Sequence, residues 1–369
     1  MYNQYPIELI KIGVASFRNY CSRRLHCYSG KAFYKPVNVI IDITNKCNLR
    51  CRHCSVWSDS QKTTFMSAHQ VKKLLSDLED WLGTFKFGFC GGEPLLRNDL
   101  IEIIQFACRK GIITGVISNG VLLDEKWAEQ LLSSGISSVT ISLDGFTPQT
   151  HDFVRGAPGT FAKTTAAVKH LKDLRKKYNS KTRITINTVI LESNLDELVD
   201  ILNWVETNGL DDIWFAPLGQ NFGASVGNAD WSKENDLWVK RLDKLDQVLD
   251  ELIRRKKNGS PINNTISHLN SLRHYFRPDC SVKPPTCEAG ITTIGISANG
   301  DMVLCPYMEA LGNVMNSDLK EIWNSDKAVR IRNQIKTCEK ACYVRYGFYQ
   351  KPLIEQIRRF SRMIKESRT

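Results

Sequence analysis

Between residues 37 and 218 the chain alternates between two hydrophobic periods, and that alternation restricts the folds open to it. VNVIIDI (37–43), KFGFCGG (86–92), ITGVISNG (113–120), SSVTISLDG (137–145), TRITINTVI (182–190) and DDIWFAPL (211–218) are short apolar runs, as buried strands should be. Between them the apolar residues recur at helical spacing. Ser67 is placed to cap a helix with Val71, Leu74, Leu75, Leu78 and Leu82 on one face. Further helices are expected from about Asn98 to Lys110, ended by Gly111, and near 124–134, 161–178 and 195–208. Six strands alternating with five helices mean right-handed crossovers and a parallel α/β sheet. Strands apolar over nearly their whole length fit a sheet covered by helices. Periodicity leaves an open sheet and a partial barrel equally admissible. In both, ligands bind at the loops after the strand C-termini.

Beyond about 225 the alternation stops. Trp238, Leu242, Leu245, Leu249 and Leu252 form the stripe of a connecting helix, followed by Pro/Gly/Asn-rich stretches at 258–264 and 278–285. Residues 286–345 read as a second unit, in which ISANGDMVLCPYM is two short strands around an Asn-Gly turn. The tail places Leu353, Ile354, Ile357, Phe360 and Ile364 on one face with Arg358, Arg359, Arg362 and Lys365 around it. No internal repeat is present. A chain of 369 residues exceeds what one core usually organises, so a large domain and a smaller one are expected.

The net charge of +11 sits at the ends. Residues 1–36 hold six Lys/Arg against one Glu, and residues 330–369 hold eleven against three, which leaves the long middle slightly negative. A nucleic-acid channel through the main domain requires the opposite distribution, so nucleic acid is not an expected partner. Both ends read as basic amphipathic helices, either packed on the core or resting on an anionic membrane or carrier surface. No uncharged apolar run of spanning length and no secretion signal is found, so a cytoplasmic location is expected, with the inner membrane face as a peripheral site.

Twelve cysteines in such a chain point to metal binding rather than disulfides. Five (Cys21, Cys27, Cys90, Cys108 and Cys280) are scattered and read mostly as small buried apolar residues. Directly after the first strand, DITNKCNLRCRHCSVW carries Cys47, Cys51 and Cys54 in a C-x3-C-x2-C spacing. Structural zinc usually takes four protein ligands, and no obvious fourth lies nearby. Three thiolates on one short loop suit a four-iron cluster with one iron left open to a chelating cofactor.

The spacing, its place after the first strand and His53 before the last cysteine resemble the radical S-adenosylmethionine (SAM) superfamily over about residues 36–220. That resemblance implies a partial (β/α)6 barrel, a SAM-binding [4Fe-4S] cluster, and SAM held at the strand ends. Gly91, Gly92, Glu93 and Pro94 match the family's GGEP segment, whose backbone and glutamate hold the methionine amino group; read alone, they form a turn that lets backbone approach a ligand. Ser118 and Asn119 after the third strand, and Ser142 and Asp144 after the fourth, fall where the family places ribose and carboxylate contacts; otherwise they simply end strands. Arg155, in His151-Asp152-x-x-Arg155-Gly156, matches the arginine near the SAM carboxylate, a role that suits a planar guanidinium. No catalytic acid or base stands out.

Cys287, Cys305, Cys338 and Cys342, with Gly300, Gly312-Asn313 and Leu319-x-x-Ile322-Trp323, resemble the SPASM/twitch auxiliary domains of these enzymes. No cysteine follows Cys342, so the shorter twitch form with one auxiliary [4Fe-4S] cluster is implied. The C-x3-C ending leaves Cys280 as an alternative ligand. The expected organisation is a basic helical extension (1–35), the SAM core (36–225), a helical linker (226–285), the auxiliary unit (286–345) and a basic amphipathic helix (346–369). The family's chemistry is reductive cleavage of SAM to a 5′-deoxyadenosyl radical that abstracts a substrate hydrogen, driven by a low-potential donor such as flavodoxin or ferredoxin. About 35 residues precede the barrel, too few for a separate peptide-binding module. The expectation is therefore net oxidation of a small molecule or carbohydrate, with peptide maturation as the alternative and a non-catalytic iron–sulfur sensor or scaffold as the reading of another class.

Overall fold

In a computed structural model, the described residues are 14, 34–59, 65–219, 235–277, 287 and 289–338. Six parallel strands form first: β1 (Asn38–Thr44), β2 (Lys86–Gly91), β3 (Ile113–Ser118), β4 (Ser138–Ser142), β5 (Arg183–Ile190) and β6 (Asp212–Pro217). They are joined by α1 (Ala68–Leu82), α2 (Leu100–Arg109), α3 (Glu125–Ser133), α4 (Pro148–Arg155), α5 (Thr160–Lys177) and α6 (Leu198–Thr207). Each strand of this set lies beside its sequence neighbours, and no described strand closes β6 back onto β1. The result is an open α/β partial barrel rather than a closed one.

Local chemistry explains the boundaries. Ser67 caps α1 by accepting from the Gln70 N–H while the Gln70 side chain accepts from the Ser67 N–H. The buried stripe of α1 is Val71, Leu74, Leu75, Leu78 and Trp81, so Trp81 takes the place expected for Leu82. The helix α4 was not expected. It is one of two helices between β4 and β5, and it opens on Thr147 and Pro148. After β6 come α7 (Leu242–Lys257), which carries the expected stripe from Leu242 onward, and α8 (Ile266–Tyr275). Trp238 precedes α7 and packs on the rings of Tyr275 and Phe276.

The second unit contributes β7 (Thr293–Ile296), β8 (Asp301–Val303), β9 (Gly312–Asn313), α9 (Leu319–Asn324) and α10 (Asp326–Lys336). β7 and β8 form the expected hairpin around Asn299-Gly300, but β7 also pairs in parallel with β1. One nine-stranded sheet therefore runs through both units. Trp323 of α9 is buried edge-on against Trp81 and Tyr34, and the Arg332 guanidinium covers it at 4.1 Å. Among the described residues no helix is long and apolar enough to cross a membrane. Apart from residues 14, 34–36 and 330–338, the two basic ends lie outside the described residues, as do Cys21, Cys27, Cys280 and Cys342.

Side chains alternate across the sheet, and one face carries the core. Val39, Ile41, Phe87, Phe89, Val116, Val139, Ile141, Ile184 and Ile186 are buried there. On the other face, Ile40 and Ile117 are 40% and 44% exposed although β1 and β3 are interior strands. Among the described residues, helices therefore leave this face, the inside of the partial barrel, open at β1 and β3, while His268 of α8 stacks on Trp214 at β6. At mid-height the register aligns Gly295, Ile40, Gly88 and Gly115 across four adjacent strands.

Candidate active site

The three-cysteine loop follows β1, as expected. Cys51 is 8% exposed, and Cys47 and Cys54 are half-buried. The loop holds its shape with local bonds: the Leu49 N–H donates to Cys47 Sγ at 3.5 Å and the Cys54 N–H to the Cys51 carbonyl at 3.2 Å. Burial pushes the Cys47 thiol up to about 11, and the neighbouring Cys51, Glu93 and Cys54 push the same way. The Cys51 thiol is also raised by burial, against the pull of Arg155. Thiols held protonated in this way release protons when metal binds.

Two other loops lock onto this one. The Gly92 N–H donates to the Thr44 carbonyl at 2.7 Å and the Glu93 N–H to the Lys46 carbonyl at 2.8 Å. A Cβ on Gly92 would lie 2.1 Å from the Lys46 carbonyl oxygen, and one on Gly91, at φ 111°, would lie 2.4 Å from that of Thr44. The glycine pair is thus required by its approach to the cysteine loop. Pro94 begins a single 3-10 turn that Glu93 caps. On the far side, the Arg52 N–H donates to the Val154 carbonyl of α4 at 2.9 Å. Gly156 caps α4 at φ 71°, where a Cβ would lie 2.4 Å from the Arg50 carbonyl oxygen.

The polar residues after the strands are more heavily engaged with one another than their sequence positions indicate. The Glu93 carboxylate accepts from Ser118 Oγ at 2.9 Å, the Asn119 N–H at 2.8 Å and the Leu95 N–H at 3.1 Å. Burial raises its pKa, and these donors oppose the rise. Asn119 Nδ2 reaches back to Asn48 of the cysteine loop at 2.8 Å. Asp144 is fully buried: one oxygen accepts from the Val189 N–H at 2.8 Å and the other pairs with Arg155 at 2.7 Å. His151 accepts from the Asp144 N–H, and burial drives its pKa down to about 4. Asp152 instead caps α5, accepting from the Gly159 and Phe161 N–H groups. Among the described residues, the Ser142 hydroxyl on the open face has no hydrogen-bond partner, which leaves it available to a ligand.

Two half-buried thiols were not singled out from sequence. Cys90 is one of the five scattered cysteines read mostly as small buried apolar residues. It lies half-buried on the open face opposite Asp42, and its Sγ donates to Asp42 Oδ1 at 3.4 Å and to the Ile41 carbonyl at 3.3 Å. Burial raises the Asp42 carboxyl. An aspartate inside an otherwise apolar strand was the available signal. Cys108 is also half-buried, beside Thr114 Oγ1 at 3.4 Å.

In the second unit, Cys305 is buried just after β8, while Cys287 and Cys338 are half-buried. The Ala289 N–H donates to Cys287 Sγ, and the Cys338 N–H to the Ile335 carbonyl at the end of α10. Among the described residues no three His, Cys, Asp or Glu side chains converge tightly enough to hold a single metal ion. A four-iron cube takes one thiolate at each protein-ligated corner. Three adjacent thiols with a buried arginine beside one of them are a donor set that fits the cube.

Comparison with known proteins agrees with this geometry. The radical SAM superfamily model matches residues 41–205, and the iron–sulfur cluster-binding SPASM model matches residues 287–343. An AdoMet-dependent heme synthase of Nitratidesulfovibrio vulgaris is 28% identical over 320 residues, covering 81% of each chain. A PqqA peptide cyclase of Bradyrhizobium diazoefficiens is 25% identical over 328 residues, covering 84% of this chain and 80% of that one. The crystal structure of Streptococcus suis SuiB bound to S-adenosylmethionine has the same fold, with a TM-score of 0.63 at 17% identity over 86% of this chain and 77% of that one. The chain belongs to the radical SAM superfamily: it is an enzyme with a SAM-binding [4Fe-4S] cluster and a SPASM-type domain for an auxiliary iron–sulfur cluster.

Proposed function

We propose that this enzyme is a maturase that modifies a side chain of a ribosomally made peptide. The observation that carries this reading is the glycine-floored apolar patch of the open face, in which Ile40 and Ile117 stand exposed in mid-sheet, with Asp42, Thr140 and Thr185 on the same face around it. Two exposed isoleucines on a glycine floor suit a hydrophobic side chain entering from a longer chain. The similarity to a peptide cyclase over most of both chains supports the same reading. It favours the peptide-maturation alternative over the small-molecule or carbohydrate oxidation expected from sequence. A heme precursor is the second reading, favoured by the similarity to the heme synthase.

In this reading Cys47, Cys51 and Cys54 hold three irons of the cluster, and Gly91, Gly92 and Ser142 line the place for SAM. Cys287, Cys305, Cys338 and Cys342 hold the auxiliary cluster. When bound, the cluster and SAM supply the hydrogen-abstracting radical. The chain's own residues orient and exclude water: Glu93, Ser118 and Asn119 fix the GGEP turn to the cysteine loop, and Ile40 and Ile117 keep the reacting side chain dry. A low-potential one-electron donor completes the system.

The test is an anaerobic incubation of the reduced, reconstituted enzyme with SAM and host extract split into peptide, tetrapyrrole and small polar fractions. Acceleration of 5′-deoxyadenosine release by the peptide fraction, with a mass change in one peptide, is the expected result. Acceleration by the small polar fraction alone would sink the maturase reading, and acceleration by the tetrapyrrole fraction would establish the second.

A further inference from the structure

We propose that Arg155 and Asp144 are a buried charge pair that sets the reduction potential of the SAM-binding cluster through the Cys51 sulfur. Arg155 is the last residue of α4, and that helix end is bolted to the cysteine loop by the bond from Arg52 to Val154 and by the contact at Gly156. The side chain is 6% exposed. One terminal nitrogen lies 3.9 Å from Cys51 Sγ, and the other lies 2.7 Å from the Asp144 carboxylate. Asp144 is itself fixed by the Val189 N–H, and His53 Nε2 stands 3.8 Å from the paired oxygen.

Burial disfavours charge on both partners, and each reverses that for the other. Burial alone would raise the Asp144 carboxyl, but Arg155 and His53 hold it below its usual range. The guanidinium of Arg155 is charged in any protein setting, and the Asp144 carboxylate 2.7 Å away compensates its burial. A fixed cation therefore stands against one cluster ligand in a low-dielectric setting, with a fixed anion behind it. Reduction adds one negative charge to the cluster. The cation favours that charge and the anion opposes it, so the two residues act with opposite signs on the same equilibrium. Both are positioning residues acting through Cys51. The Arg155 Nε–H, buried and without a described partner, is the donor left over for a SAM carboxylate.

The inference rests on Cys51 being a cluster ligand. The test is an EPR-monitored redox titration of the anaerobically reconstituted full chain, following the reduced-cluster signal that changes when SAM is added. Arg155→Met should shift the SAM-free midpoint to more negative potential, and Asp144→Asn should shift it to more positive potential. Arg155→Lys should stay near the parent. Shifts of the same sign in the first two variants, or none in either, would overturn the proposal. So would an Arg155→Met variant that loses SAM affinity while keeping the parent SAM-free midpoint. If Arg155→Met fails to load iron, the sign for Asp144→Asn and the position of Arg155→Lys decide. Parent enzyme with no SAM-responsive signal would refute the ligand reading of Cys51 instead.

Discussion

The two cysteine groups sit on one sheet but are held in different ways. The Cys47–Cys54 loop is gripped from three sides by protein: the glycine turn after β2, Asn119 after β3, and the end of α4. In the second group Cys287 precedes β7, Cys305 follows the three-residue β8 and Cys338 lies beyond the end of α10. The first site is preorganised by backbone contacts that exist without metal. In the second, metal ligation is expected to add to the local order. Preorganisation matters where a radical must be aimed, because misplacement by an ångström is costly there. An electron relay tolerates more.

The largest effect expected from breaking this comparison comes from Cys51→Ala. SAM cleavage should fall to background while the melting transition of the barrel stays close to the parent, since the grip on the loop does not depend on the thiol. A collapse of the fold would show that the first site also leans on its metal. Chelating iron from the parent supplies the complement. Hydrogen exchange should accelerate across 287–338 and little across β1–β6. Equal acceleration in both regions would erase the distinction.

Two glycines of β2 and its turn sharpen it further. Gly92→Ala places a methyl group 2.1 Å from the Lys46 carbonyl oxygen. It should cost about 1–3 kcal/mol of stability and lower the iron content of the first cluster. At Gly88 the nearest atom to an added methyl is the Val39 carbonyl oxygen at 3.9 Å. Gly88→Ala should therefore leave stability unchanged or raised by about 0.5–1 kcal/mol. Its effect should fall on substrate, whose turnover drops while uncoupled SAM cleavage persists. Denaturant titration and product assays on the pair check both halves. A Gly88→Ala variant that unfolds would contradict the open face.

The strands and most helices were legible because burial on one face writes a period into the sequence. The α4 helix was not, because its eight residues carry only Phe153 and Val154 as large apolar side chains, and the segment reads as a polar motif. Pairing of β7 with β1 was also illegible, since parallel neighbours so far apart in the chain leave no local trace. At the site, sequence could nominate Glu93, Asn119, Asp144 and Arg155 as polar residues at strand and helix ends. It could not say that the Glu93 carboxylate accepts from the Asn119 N–H or that Asp144 pairs with Arg155, because that depends on which way each terminal group turns. Cys90 was not singled out for a related reason: a thiol in an apolar strand looks the same from sequence whether it faces the core or the open side of the sheet.

The smallest expected effect concerns how electrons reach the better-held site. Lys46, Arg50 and Arg52 are exposed on the cysteine loop, and each covers an aromatic ring: Phe65 at 5.7 Å, Trp57 at 5.4 Å and Phe153 at 4.0 Å. Among the described residues none of the three pairs with a carboxylate. A basic, partly apolar rim beside the cluster suits an acidic electron carrier, and such steering acts on the rate of encounter more than on affinity. Arg52→Glu should slow reduction by an acidic flavodoxin about two- to tenfold at low salt, and added salt should shrink the difference. Reduction by dithionite, which needs no docking face, should be unchanged. If dithionite-driven turnover falls as far as flavodoxin-driven turnover, the Arg52 side chain serves the loop's shape instead. The grip on the first site would then extend to its outer rim.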